Sequence, residues 1–320
     1  MKTKNTLNTL ITAAAIFAAI GLHAESITID TVLVGNAGNA ADTGGTVGAG
    51  AVAYDYHIGT TEVTAGQYVA FLNAVASTSD KFGLYNTNMF THVEGCGIQQ
   101  IDNGNGTFSY EATKGDNMPV NFVSVYNAMR FCNWVTTGNT EIGVYVLNNT
   151  ATGVALVTRD NDAWLAGGVA IASLDEWYKA AFYNGDTETY SRYANGTNTA
   201  PKGTEANFNG SVFGTITDVD FGVTSFYGTF GQNGNVWEWT DTVVGTGNHI
   251  YIRGGAFNGP TSYMVASYNN TATATDEYRN IGFRVSSLTP IPEPSTYAAI
   301  FGALALAFAA YRKRSYAPKK

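Results

Sequence analysis

Apolar residues recur along this chain at two spacings. Tyr68, Phe71, Leu72 and Val75 stand at i, i+3, i+4 and i+7, which places all four on one face of a helix. Thr64 and Gln67 lie three residues apart just ahead of them. That is a capping box, in which each side chain satisfies a free backbone N–H of the first turn. A second helix is predicted from Ser124, where Ala128, Phe131, Cys132 and Val135 repeat the spacing. A third starts at Ser173 with Glu176 as its box partner, turning Trp177, Ala180 and Ala181 inward. Alternation predicts strands at Ile27, Ile29 and Val32 and again across residues 51–63, separated by a Gly/Asn/Asp loop. Beyond Tyr190 the chain is mostly Gly, Asn and Thr, with room only for short strands. No fixed-period repeat and no long linker breaks the middle of the chain, which reads as one loop-rich α+β domain.

The two ends have a different pattern. Residues 1–24 place Lys2 and Lys4 before an apolar run ending at Ala24, the layout of a secretory signal peptide. At the other end, Pro292, Glu293 and Pro294 precede an apolar run from Tyr297 to Tyr311, followed at once by Arg312, Lys313 and Arg314. A helix of that run is only just long enough to cross a bilayer, and the basic cluster would hold its C-terminal end on the cytoplasmic side. Residues 291–320 resemble the PEP-CTERM sorting signal of Gram-negative bacteria. The resemblance implies an exosortase-type protease as partner, a transient inner-membrane anchor, and delivery to the cell surface or extracellular matrix. The remaining domain is then residues 25–290.

Charge narrows the partners of that domain. The whole chain has 17 Lys and Arg and 25 Asp and Glu. Seven of the basic residues and one acidic residue lie in the end segments, which leaves 10 basic and 24 acidic residues, a net of −14. Such a surface repels nucleic acid and anionic membranes. Of the two cysteines, Cys132 sits on a predicted apolar helix face, where a buried thiol is common; pairing with Cys96 stays open as the alternative.

Four segments in order carry a family resemblance: "IGTTEVTAGQYVAFLNAV", "MPVNFVSVYNAMRFCNWV", "SLDEWYKAAFY", and a last one holding "GNVWEW", "RGG" and "GFRV". Together they resemble the formylglycine-generating enzyme, or sulfatase-modifying factor, family. The resemblance implies a variant of the C-type lectin fold, with few helices, short strands and loops braced by calcium. It also implies an oxidase chemistry in which two cysteines after "RGG" bind Cu(I), since soft thiolates suit that ion. On this chain those positions are Gly259 and Met264, and the preceding serine position is Ala256. Copper and formylglycine-generating activity are therefore not expected, and a binding or matrix role is; an oxidoreductase with a metal at the same pocket is the alternative. His57, His92 and His249 match no ligand spacing, and Asp175 with Glu176 reads as first-turn helix charge.

The resemblance further implies structural calcium, which takes six to eight oxygens. One site would use Asn233, the carbonyls of Gly234 and Val236, and the Glu238 carboxylate. A second would use Asn207, the Phe208 carbonyl, Asp218 or Asp220, and the Phe221 carbonyl. Ser262 and Tyr263 match residues lining the family's pocket. Trp239, Tyr263 and Tyr268 are candidate stacking surfaces for an extracellular glycan or peptide.

Overall fold

The elements follow the predicted order, with additions where the sequence was unpatterned. In the computed structural model, residues 27–291 are described apart from 47, 148–157, 210 and 212. The chain forms β1 (Thr31–Val34), β2 (Tyr56–Gly59), α1 (Ala65–Val75), α2 (Asn88–Thr91), β3 (Ile98–Asp102) and β4 (Phe108–Ala112). Then come α3 (Val125–Thr137), α4 (Asn161–Leu165), β5 (Ala170–Ile171), α5 (Leu174–Phe182), β6 (Tyr183–Asn184) and β7 (Thr189–Tyr190). The last third supplies β8 (Trp237–Val243), β9 (His249–Arg253), β10 (Asn270–Thr273), β11 (Ile281–Phe283) and β12 (Val285–Ser287). The signal peptide and the segment with Pro292, Glu293, Pro294 and the apolar run lie outside the described residues. Among the described residues no helix is long and apolar enough to cross a membrane.

Both capping boxes form. Thr64 Oγ1 accepts from Gln67 N at 3.2 Å while Gln67 Oε1 accepts from Thr64 N at 2.9 Å. Ser173 and Glu176 repeat the arrangement on α5. α3 starts with Ser124 accepting from Asn127 N and ends at Gly138, whose φ of 75° suits a residue without a Cβ. Phe131 of α3 is the hub of the main core. Its ring meets Phe71 at 5.6 Å and Phe283 at 5.5 Å, both edge-on. Truncating such a residue to Ala costs about 3–5 kcal/mol. Cys96 and Cys132 are both buried and unpaired, and burial pushes both thiols up, so neither is a thiolate at neutral pH.

Two four-stranded sheets frame the domain, in the orders β1-β2-β12-β5 and β10-β9-β8-β11. Only one residue, Arg284, separates β11 in the second sheet from β12 in the first. The "GFRV" segment is thus the joint between sheets. The first predicted strand starts later than its alternation suggested. Ile29 is buried, but ladder pairing begins at Thr31, opposite Gly59, so the apolar alternation ran ahead of the backbone partner.

Candidate ligand-binding site

β8 and β9 bring the last motifs side by side. Glu238 pairs with Arg253 on one flank and with Gly282 of β11 on the other. Past β9 the chain reverses through Gly254 and Gly255, with φ of 98° and 77°, a region open to glycine and strained for other residues. A Cβ on Gly255 would meet Met264 Cγ at 2.7 Å. Arg253 fastens the far arm of the loop. Its guanidinium, fully buried, donates to the Tyr268 carbonyl, to Asn269 Oδ1 at 3.0 Å and to the Ala266 carbonyl at 2.9 Å. The rings of Trp177, Tyr178 and Phe182 surround it. Burial lowers its pKa to about 10, so it stays charged at neutral pH.

Gly259 and Met264, the positions that the resemblance matches to copper-binding thiolates, are closed. A Cβ on Gly259 would stand 2.8 Å from Tyr263 Cδ2, so the tyrosine ring fills the space of a side chain there. Met264 is 1 % exposed, clustered with Tyr193 and Val265 against Phe208 and Tyr268. Ala256 is fully buried.

Tyr263 and Tyr268 are half-buried at the loop surface, their rings 4.6 Å apart at 31°. Trp237 backs both, at 5.8 and 6.0 Å. Exposed Ser262 and Asn258 lie on the same loop, and Asn258 Oδ1 accepts from Asn280 Nδ2 at 3.1 Å. The expectation for Trp239 is corrected. It lies two residues further along the same face of β8, is fully buried, and donates its indole N–H to the Val123 carbonyl at 2.8 Å. It is a core residue with no face for a ligand; Trp237, 5 % exposed, is buried as well, behind the rings of Tyr263 and Tyr268.

At the position expected to hold calcium, the Glu238 carboxylate is already paired. Arg284 grips its carboxylate with two bonds, Nε to Oε2 at 2.5 Å and Nη2 to Oε1 at 2.7 Å, and Trp177 Nε1 donates to Oε2 at 2.9 Å. Asn233 Oδ1 accepts from the Ala194 N–H at 3.1 Å. Only the Gly234 and Val236 carbonyls remain of the expected set, too few for Ca²⁺. At the second site, Asn207 Oδ1 accepts from Ser211 Oγ and the Phe208 carbonyl from Ser211 N, both at 2.9 Å. Phe221 packs its ring on Phe213 at 4.8 Å. Asp220 is exposed and lines an open cleft of about 570 Å³ with Asp30 and Asp116, a grouping no sequence pattern signalled. Among the described residues, no three of His, Cys, Asp and Glu converge on a metal position.

Nearby, Glu62 is buried 3.9 Å from Arg284 and bonds Asn235 at 3.2 Å. Burial and the Glu238 charge outweigh Arg284 and push its pKa up to about 8.

Two packed sheets, three well-formed helices and long braced loops define a domain of the formylglycine-generating-enzyme fold. Treponema denticola variable protein 1 shares it with a TM-score of 0.57 at 18 % identity, over 83 % of this chain and 97 % of that one. CarF does so with a TM-score of 0.57 at 23 % identity, over 82 % of this chain and 99 % of that one. Residues 29–287 match the Sulfatase-modifying factor enzyme 1-like domain family, and the chain belongs to that family. No curated protein matches it.

Proposed function

We propose that this protein is a non-catalytic member of its family, exported by the PEP-CTERM and exosortase route to the cell surface or extracellular matrix, where it binds a glycan or peptide. The observation that carries the reading is the loop after β9. The positions expected to carry thiolates are a glycine blocked by Tyr263 and a buried methionine, while the half-buried Tyr263–Tyr268 pair shares the loop with exposed Ser262 and Asn258. Paired aromatic faces rimmed by neutral hydroxyl and amide groups suit a sugar ring or an aromatic peptide side chain. The acidic domain disfavours nucleic acid.

The test is a glycan and peptide array, run beside copper-dependent O₂ consumption on a cysteine peptide. Saturable binding that disappears in Tyr268→Ala, with no O₂ uptake, supports the reading. Copper-dependent O₂ uptake with aldehyde formation on the peptide overturns it. Removal of the tail after the Pro292 region in an exosortase-bearing host, and its retention in a host without one, tests the sorting half.

A further inference from the structure

We infer that an internal guanidinium, Arg284, does at Glu238 the bracing work that the fold family assigns to calcium. The geometry carries this independently of what the loop binds. Arg284 and Glu238 are both fully buried. The fork of Arg284 matches both carboxylate oxygens, the bidentate arrangement that makes the strongest charge-assisted hydrogen bonds. Its other N–H groups reach the Gly59 carbonyl at 3.1 Å and the Phe230 carbonyl at 2.7 Å.

One side chain therefore ties four segments: the end of β2, the loop at Phe230, β8, and the joint between β11 and β12. Joining loops through their oxygens is what a structural Ca²⁺ does. Here the oxygens converge on a cation that the chain itself supplies. A Ca²⁺ ion bound to Glu238 would lie beside a buried guanidinium, and like charges in a low-dielectric interior repel strongly. Asn233 is committed to the Ala194 N–H, and the buried Glu62 carboxylate, 3.9 Å from Arg284, offsets only part of that repulsion. A domain braced this way keeps its fold in calcium-poor or chelating surroundings.

The experiment is thermal unfolding of the full chain in EDTA and in excess calcium, for the wild type, Arg284→Lys and Glu238→Gln. Lysine keeps the charge but loses the fork. Both variants are expected to melt well below the wild type by the same amount with or without calcium, and calcium is expected to move the wild-type Tm by less than about 1 °C. A Glu238 calcium site filled a hundredfold above its Kd would instead raise the wild-type Tm by about 5–10 °C. A rise of that size that disappears in Glu238→Gln overturns the inference; a rise that persists in Glu238→Gln comes from elsewhere and leaves Arg284 as the brace. If the variants do not fold, calcium retained by the wild type after gel filtration decides. One ion per chain that an Asp218→Asn, Asp220→Asn double variant still retains, and that therefore lies outside the second expected site, overturns the inference; no ion, or one that this variant loses, supports it.

Discussion

Replacing Glu176 by Gln tests a buried carboxylate that accepts five hydrogen bonds. Its two oxygens accept from Arg159 Nη1 and Nη2, Tyr54 Oη, Ser173 N and Ser286 Oγ, at 2.7 to 2.9 Å. Every one of these partners points a donor at it. A glutamine amide must turn its own NH₂ toward one of the two sets, and Arg159 is left with the Asp241 carboxylate and the Ile171 carbonyl, each at 2.6 Å. Removing one partner of a buried ion pair costs about 3–5 kcal/mol, which for a domain of this size lowers Tm by ~10 °C. The pH dependence adds a second signature. Burial by itself pushes the Glu176 pKa up, but the Arg159 charge and the donated hydrogen bonds outweigh it and hold the group at about 2 against an ordinary 4.5. A pKa depressed in the folded state gives stability that is complete above the unfolded value and is lost as pH falls through the folded one. The wild type should therefore lose this advantage between pH 4.5 and 2, and Glu176→Gln, which cannot titrate, should not. Calorimetry across that range should show the gap widest near neutrality and closing in acid. A variant melting within about 2 °C of the wild type at neutral pH, or a gap that ignores pH, would refute the reasoning.

Other outcomes follow from the same contacts. Thr64→Ala removes the α1 cap and should cost about 1 kcal/mol in chemical unfolding; no change would mean that Gln67 alone holds the turn. Gly259→Cys must displace the Tyr263 ring and should destabilise by ~1–3 kcal/mol, read as a lower denaturation midpoint. Tyr268→Ala should weaken the ligand found by array about tenfold, equivalent to ~1.4 kcal/mol of lost stacking, with Tm little changed. Glu62 has a raised folded pKa, so its contribution is complete below its unfolded value and is lost as pH rises through about 8. Glu62→Gln should match the wild type in weak acid and out-melt it above pH 8, by differential scanning fluorimetry.

The sequence by itself determined the parts that local bonding can specify. A capping box needs residues three apart, so Thr64 with Gln67 and Ser173 with Glu176 were readable, as were the apolar faces of α1 and α3. Short α2 and α4 and the β3–β4 hairpin were not, because brief elements carry too little periodicity to register. The family's segments were legible too, since "GNVWEW", "RGG" and "GFRV" are contiguous.

Tertiary structure alone decided what those segments do. Glu176 reads as a helix-start charge, and its partner Arg159 follows from no spacing rule. Glu238 sits among loop residues that suggest a cation site, and its real partner arrives from 46 positions away, where the chain passes between sheets. Trp237 and Trp239 share one strand face, and packing against distant segments buries both, the first behind Tyr263 and Tyr268 and the second against the Val123 carbonyl. Helix signals reside in bonds that span three or four residues. Ion pairs, rims and closed pockets depend on which distant segments the folded sheets bring together, and that information lies in no single stretch of the chain.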